Sequence, residues 1–192
     1  MTGSHDPAHF ERLYQWKVDP WDYLTSEYET AKYRHTLSVL GPTQFSAGLE
    51  VGCSIGVLTR MLAARCDSLL ALDVVDQALQ AAQARCADQP WVRFARLQVP
   101  SGWPDERFDL IVLSEVLYFF TSADIDRIAA HAASSLLPGG RVLLVNWLGR
   151  ADDPNTGEHA AARFIAASTL RLAVVHQDRR PDYRLDLLAA RD

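Results

Sequence analysis

The chain has 192 residues, 48% of them hydrophobic, which is typical of one globular domain with a sizeable core. Its net charge of −5 and the lack of lysine or arginine runs argue against a surface that tracks nucleic-acid phosphates. Its three cysteines show no C-x-x-C spacing, which argues against a disulfide framework and a zinc site. Without a signal-peptide pattern or a run of about 18 apolar residues, the sequence predicts a cytoplasmic protein with no membrane span.

The first 44 residues predict a helical cap ahead of an α/β core. Residues 1 to about 8 are expected to fray, and helices are predicted over 9–16 and from Ser26 to Leu40. Aromatic side chains with polar tips are frequent in small-molecule pockets, although packing against the core explains them equally well. The aromatic residues that precede the first strand are Tyr14, Trp16, Trp21, Tyr23, Tyr28 and Tyr33.

Residues 48–60, GLEVGCSIGVLTR, predict a short strand, a glycine-spaced turn and a helix that starts near Val57. Gly52 and Gly56 bracket the turn, where glycine can adopt positive φ and lets a ligand approach the backbone. Amides of the first helical turn would face such a ligand. Glu50 would repel a pyrophosphate and suits a cationic or amino-bearing ligand better. An ordinary strand-to-helix turn explains the two glycines alone just as well.

A second predicted strand over 68–72 ends at Asp73, 21 residues after Gly52. This is close to the separation at which an acid after the second strand accepts the ribose hydroxyls of an adenosine ligand. The acid therefore turns one weak motif into two correlated ones.

Helices and strands continue to alternate up to residue 147. A capping box at Thr121–Asp124 predicts the start of a helix that runs to about Leu137, where Pro138–Gly140 ends it. The predicted segments are a helix over 76–87, strands over 91–97 and 108–113, and a buried strand over 141–147.

The last part of the chain predicts a short helix over 159–167 and two strands, 169–176 and 183–189, around a turn at 178–182. So short a connection permits only antiparallel neighbours, whereas a dehydrogenase-type fold would continue with crossover helices. The predicted fold class is α/β: a doubly wound, Rossmann-like, seven-stranded sheet with an antiparallel last strand. We expect a single domain over 1–192, with a cap over 1–44 and a core over 45–192.

From about residue 45 onward, the E-x-G-x-x-x-G loop, the acid after strand two and the closing hairpin resemble class I methyltransferases, which use S-adenosyl-L-methionine. Ser54 departs from the family's commonest pattern, because a middle glycine often stands there. GCSIGVLT, SEVLYFF and DPWDY…YETAKYRHTL are similar to the nodulation protein S group. That group methylates the free amine at the non-reducing end of a deacetylated chitooligosaccharide. The resemblance therefore implies N-methylation of such an amino sugar; another small-molecule amine or hydroxyl is the alternative acceptor.

The resemblance also implies a set of cofactor-binding residues. The Gly52–Gly56 loop would pass beneath the methionine part, Asp73 would bind the ribose, and residues 98–99 would border the adenine. Tyr33 and Arg34 would close over the cofactor carboxylate, since arginine suits a carboxylate by forked hydrogen bonding; a solvated helix face is the other interpretation of Arg34. The full set is Tyr33, Arg34, Glu50, Gly52, Cys53, Ser54, Gly56, Asp73, Val74, Gln98, Val99 and Ser114.

Methyl transfer is an in-line displacement at a sulfonium, so the protein must align the reacting atoms and exclude water. An acceptor amine must be neutral when it attacks, and a carboxylate or imidazole could orient it and take its proton. The candidates for this catalytic role are Glu115, Tyr118 and His159, each of which also has a purely structural interpretation. The candidates for sugar binding are Trp21, Asn146 and Trp147.

Two other function classes share some of these features. A nicotinamide-dependent oxidoreductase would have the glycine loop and the acid, but Glu50 and the closing hairpin argue against it. A non-catalytic adenosyl-binding module fits as well, because no residue is a compulsory catalyst. The sequence indicates a small-molecule partner, and it indicates no nucleic acid, metal, membrane or obligate protein partner.

Overall fold

The computed structural model describes residues 4–149 and 153–191, which fall into two compact units. The first unit comprises Asp6–Gln98, and the second comprises Val99–Asp192 together with Met1–His5, as far as these are described. The expectation of one domain over 1–192, with a cap over 1–44 and a core over 45–192, stays a prediction.

The first unit contains two helices followed by three parallel strands in the order β3-β2-β1. Its strands β1 and β2 are almost continuously apolar and buried, as expected for parallel strands that are covered on both faces. The elements are α1 Pro7–Trp16, α2 Glu27–Leu40, β1 Gly48–Val51, α3 Val57–Ala63, β2 Leu69–Asp73, α4 Asp76–Arg85 and β3 Val92–Arg96.

Both predicted N-terminal helices are confirmed, and each begins at a side-chain cap. Asp6 accepts a hydrogen bond from the amide of Ala8, and Ser26 accepts one from the amide of Glu29. The expected fraying was wrong for the described part of residues 1–8, because Asp6 caps α1 and Ser4 Oγ accepts a bond from the Thr121 amide at 2.9 Å. Residues 1–3 lie outside the described residues.

The second unit contains four strands in the order β4-β5-β7-β6. β4 and β5 are parallel, whereas β7 is antiparallel to both β5 and β6. The elements are β4 Phe108–Ser114, a 3₁₀ turn Leu117–Phe119, α5 Ser122–Ser135, β5 Leu136–Trp147, α6 Gly157–Ser168, β6 Leu172–Arg179 and β7 Tyr183–Ala190.

The predicted capping box at the start of α5 is confirmed, because the side chain of Thr121 accepts a bond from the Asp124 amide. The end of that helix differs from the prediction. The helix stops at Ser135, and β5 begins at Leu136 instead of at Arg141. The Pro-Gly-Gly segment therefore lies within β5, where it produces a register shift in the pairing with β4.

The closing hairpin is confirmed, although its turn is confined to residues 180–182 because β6 extends to Arg179. With the hairpin, the seven strands form the predicted mixed sheet with antiparallel last strands, and the fold class is confirmed. Within the described ranges, no helix is both long and apolar enough to cross a bilayer.

Candidate functional site

The turn between β1 and α3 needs glycine at its two bracketing positions. Gly52 and Gly56 both have a φ of 80°, in the left-handed region. A Cβ atom on Gly56 would lie only 2.8 Å from the Cβ of Ala82 on α4. The turn is therefore tightly packed as well as unusually shaped, which explains why the glycines stand where they do.

Ser54, inside the same turn, also has left-handed backbone geometry, with a φ of 50°. Its amide donates to Oδ2 of Asp73 at 2.8 Å, and its hydroxyl is hydrogen-bonded with the Tyr14 hydroxyl at 2.5 Å. An L-residue in this region costs about 1–2 kcal/mol, which these two hydrogen bonds offset. The departure from glycine at this position is thus compensated by a side-chain contact.

Asp73 lies at the end of β2, and three backbone amides hold its carboxylate. Oδ1 accepts bonds from Val74 at 2.8 Å and Val75 at 3.0 Å, while Oδ2 accepts the bond from Ser54. Burial raises the pKa of this carboxyl, and the three amide bonds oppose that rise. The predicted ribose acid is therefore fixed beside the glycine turn.

Glu50 is a buried acid in β1, with 2% of its surface exposed. Burial raises the pKa of its carboxyl to about 7, the negative charge of Asp73 adds to the rise, and the Thr59 hydroxyl opposes it. Among the described residues, Oε2 of Glu50 has no hydrogen-bond partner. A buried carboxylate of this kind is costly by itself and is better satisfied beside a cationic group.

Cys53 lies between these acids and has the character of a core residue. Its side chain is buried in a cluster with Ala71 and Leu79. Burial raises the pKa of the thiol well above its usual range, and the charge of Asp73 adds to this. A thiol in this state is a poor nucleophile, so Cys53 acts as a small buried residue of the turn.

Four aromatic rings of the N-terminal segment contact one another in a row that begins at Tyr14. Tyr14 contacts Trp21 with ring centroids 5.7 Å apart, Trp21 contacts Tyr23 at 5.7 Å, and Tyr23 contacts Tyr33 at 6.4 Å. Tyr14 and Tyr33 are buried, whereas 37% of Trp21 is exposed. Of the predicted binding residues in this segment, Trp21 is therefore partly exposed and Tyr33 is not.

The sequence singled out Arg34 on α2, but the buried cation of this helix is Lys32. Arg34 is exposed, while Lys32 is 2% exposed and donates to Oε1 of Glu29 at 2.9 Å. Its ammonium also lies 4.9 Å from the ring centroid of Tyr28. Sequence reasoning missed Lys32, because the polar pattern of this helix gives no sign of which cation is buried.

The remaining predicted cofactor residues differ in exposure. Val74 is half-buried, and its carbonyl accepts a bond from Arg96 at 3.0 Å. Gln98, which follows β3, is exposed, whereas Val99, the first residue of the second unit, is buried. Ser114 ends β4 and is half-buried. These positions at strand ends are the ones that the α/β pattern predicts for ligand contacts.

In the second unit, Glu115 brings together three of the predicted residues. It follows β4 with a left-handed φ of 58°, and its Oε2 accepts bonds from the Tyr118 hydroxyl and the Trp147 amide, both at 2.9 Å. Non-glycine residues with this geometry are uncommon and concentrate at functional sites. The bond to Trp147 ties the carboxylate to the end of β5.

His159 is exposed in the first turn of α6, and Asn155 connects it to the 3₁₀ turn. The Asn155 side chain bonds with Nδ1 of His159 at 2.5 Å and donates to the Phe120 carbonyl at 2.6 Å. The backbone amide of Asn155 donates to the Tyr118 carbonyl at 3.2 Å. Sequence reasoning missed Asn155, which lies in a polar loop without a motif.

Asn146, near the end of β5, is fully buried. Neither Nδ2 nor Oδ1 has a hydrogen-bond partner among the described residues, which is unusual for a buried amide. Gly157 packs against this strand end so closely that a Cβ there would lie 1.9 Å from the Trp147 carbonyl oxygen. Trp147 itself is half-buried.

The fold is that of the class I methyltransferases, with parallel strands followed by the antiparallel pair. A family model described as nodulation protein S (NodS) matches residues 11–146. The chain belongs to the nodulation protein S family, and the resemblance seen in the sequence is confirmed.

Curated relatives agree with this assignment, and a solved structure shares the fold. Nodulation protein S of Bradyrhizobium diazoefficiens is 34% identical over 60% of this chain and 54% of its own length. The protein of Sinorhizobium fredii is 31% identical over 78% of this chain and 69% of its own length. The crystal structure of N-methyltransferase NodS from Bradyrhizobium japonicum, in complex with S-adenosyl-L-homocysteine, has a TM-score of 0.81 and 23% identity, covering 95% of this chain and 98% of that one. The chain thus spans little more than half the length of the first relative.

Proposed function

We propose that this protein is an S-adenosyl-L-methionine-dependent methyltransferase. The observation that carries the proposal is the Asp73 carboxylate, held by three backbone amides at the end of β2 and directly bonded to the left-handed glycine turn. An acid in this position suits the two ribose hydroxyls of an adenosine ligand. The S-adenosyl-L-homocysteine complex of the structurally similar N-methyltransferase supports the same cofactor.

The buried acid Glu50 supports a cofactor that carries an amino group. Its unpartnered oxygen and raised pKa would both be compensated by the ammonium of the methionine part. A pyrophosphate would make the electrostatic cost larger, which disfavours a nicotinamide dinucleotide. In this proposal, the adenine is bordered by Gln98 and Val99, and the cofactor carboxylate is met by Tyr33 and Arg34.

The proposed acceptor is the free amino group of a deacetylated chitooligosaccharide or a related amino sugar. Membership of the nodulation protein S family supports this choice, as does the N-methyltransferase with the same fold. Within the second unit, the unpaired amide of Asn146 and the indole of Trp147 suit the polar and apolar groups of a sugar. Another small-molecule amine or hydroxyl is the second candidate acceptor.

The chemistry proposed for the second unit is the orientation and deprotonation of the acceptor. When bound, the cofactor would supply the methyl group, whose bond to sulfur breaks as the bond to the acceptor nitrogen forms. An acceptor in its ammonium form must first lose a proton to free the attacking lone pair. Glu115 is the proposed proton acceptor, because its carboxylate is held in one orientation by Tyr118 and by the Trp147 amide. His159 is the other candidate, although its exposure makes it better suited to exchange a proton with water.

Two measurements test the proposal in order. S-adenosyl-L-homocysteine is expected to raise the melting temperature, and NAD(H) is not; a shift with NAD(H) alone would refute the assignment. Methyl transfer is then compared between a deacetylated chitooligosaccharide, its fully acetylated counterpart, and unrelated amines and phenols. Activity on the deacetylated sugar and not on the acetylated one supports the amine acceptor, whereas activity confined to phenols excludes it.

A cytoplasmic setting without an obligate protein partner completes the proposal. The three cysteines are all buried, and none forms a disulfide in the described part of the chain, which agrees with a reducing compartment.

A further inference from the structure

Helix α1 is hydrogen-bonded directly to the turn that the proposed cofactor would contact. Tyr14 of α1 is 3% exposed and packs in a cluster with Ile55 and Val75, which belong to the segments after β1 and β2. Its hydroxyl is 2.5 Å from the Ser54 hydroxyl. The phenol therefore reaches the turn at the same residue whose amide meets Asp73.

The helix is fixed to this surface at a second point. Arg96, at the end of β3, pairs with Oε1 of Glu11 on α1 at 2.8 Å and donates to the Val74 carbonyl at 3.0 Å. Helix α1 is therefore held by this ion pair as well as by the packing of Tyr14 against Ile55 and Val75. The hydroxyl of Tyr14 thus meets Ser54 from a helix outside the turn.

The conformation in question is unfavourable for serine. With a φ of 50°, Ser54 is in the left-handed region that a residue with a Cβ leaves unless local bonds hold it there. In this conformation its amide donates to Oδ2 of Asp73 at 2.8 Å. A turn that samples other conformations would present a competent cofactor site for a smaller fraction of the time, and its apparent affinity would fall by that fraction.

We infer that Tyr14 is a positioning residue for the cofactor, because its hydroxyl holds Ser54 in the left-handed conformation that aligns the Ser54 amide with Asp73. The inference rests on the proposed adenosylmethionine site. With serine at position 54, the turn depends on α1 for its conformation. Glycine at the same position would adopt that conformation unaided. Tyr14 and residue 54 are therefore coupled.

The test is a double-mutant cycle with Tyr14→Phe and Ser54→Gly, measured as the affinity for S-adenosyl-L-homocysteine by calorimetry. Phenylalanine keeps the buried ring, so Tyr14→Phe is expected to fold and to weaken binding about three- to tenfold. Ser54→Gly is expected to bind within about twofold of the native protein, and adding Tyr14→Phe to it should change nothing further. Equal losses from Tyr14→Phe in both backgrounds would overturn the inference.

Steady-state kinetics separates positioning from general damage. Tyr14→Phe is expected to raise the KM for S-adenosyl-L-methionine and to leave kcat nearly unchanged, because the defect lies in the population of the competent turn. The matched control is Tyr183→Phe, which removes the hydroxyl of another buried tyrosine, on β7, and should leave cofactor affinity unaltered. An equal loss in that control would show a nonspecific effect and overturn the inference.

Amide hydrogen exchange gives a readout that needs no ligand. In the unliganded protein, Tyr14→Phe is expected to accelerate exchange of the Ser54 amide about tenfold, since its bond to Asp73 is then less populated. Unchanged exchange at Ser54 would overturn the inference even if the cofactor binds. If the native protein binds no S-adenosyl-L-homocysteine, the proposed function fails, and this measurement still decides whether Tyr14 orders the turn.

Discussion

Replacing Glu50 with glutamine is expected to stabilise the protein while weakening its proposed cofactor site. Glutamine has nearly the same shape but cannot ionise, so the substitution removes the cost of a buried charge. Burial raises the pKa of Glu50 from 4.5 to about 7 in the folded protein. The carboxyl is therefore protonated over a pH range in which it would be ionised in the unfolded chain.

The sign and size of the effect follow from this difference. A folded-state pKa above the unfolded value means that the contribution of the neutral acid to stability is fully present below pH 4.5 and is lost as the pH rises through about 7. The difference corresponds to about 3 kcal/mol, to order of magnitude. Since a protein of 192 residues changes its melting temperature by about 2–4 °C per kcal/mol, Glu50→Gln should melt about 6–12 °C higher than the native protein at pH 8.5.

The assay is thermal unfolding of both proteins between pH 4.5 and 8.5, with and without S-adenosyl-L-homocysteine. Without the ligand, the difference in melting temperature should be small at pH 4.5, grow as the pH rises to about 7, and level off above that. With it, the ligand-induced shift should be smaller for Glu50→Gln, because the amino group of the ligand loses its carboxylate partner. A difference that does not depend on pH, or a less stable glutamine variant at pH 8.5, would refute this reasoning.

Three further substitutions test other parts of the structure. Asp73→Asn should weaken S-adenosyl-L-homocysteine binding about tenfold or more in calorimetry, because an amide cannot accept bonds at both of its atoms; undiminished binding would contradict the ribose role. Glu115→Gln should lower kcat for an amine acceptor about 10²- to 10⁴-fold and leave cofactor affinity within about twofold, and an unchanged kcat would leave Glu115 a structural role. Gly157→Ala should cost about 3 kcal/mol in urea unfolding, since its Cβ would lie 1.9 Å from the Trp147 carbonyl oxygen. Gly139→Ala, where nothing lies within 4 Å, is the control and should cost about 1 kcal/mol; equal losses would contradict the steric explanation.

The order and type of the elements were predictable because they depend on local patterns. The strand before Asp73, the capping box at Thr121 and the closing hairpin each have a short-range signal, and each is confirmed. Boundaries were less predictable where a tertiary pairing overrides a local stop signal. Gly139 was expected to separate a helix from a strand, but the segment around it is drawn into β5 by pairing with β4.

The contacts that orient the candidate site were less accessible to sequence reasoning. Glu115 is held partly by the backbone amide of Trp147. Because almost every residue has such a donor, the residue types in the sequence do not reveal this contact. The Tyr14–Ser54 bond joins side chains 40 positions apart, and its necessity becomes visible only with the backbone angle of Ser54. Burial decides between Lys32 and Arg34 in the same way, since both are cations on one helix.

Residues with a strained backbone indicate functional positions that composition and motifs do not indicate. Among the described residues, three that are not glycine have positive φ: Asp22, Ser54 and Glu115. Ser54 and Glu115 are predicted site residues, and Asp22 directly follows Trp21, the predicted sugar contact with a partly exposed ring. Strain of this kind persists only where surrounding bonds maintain it, and Asp22 is bonded to Lys17 while the other two have the contacts described above. Two of the three residues that violate local preference are therefore proposed to meet cofactor or acceptor, and the third adjoins Trp21, as expected where binding has been favoured over stability.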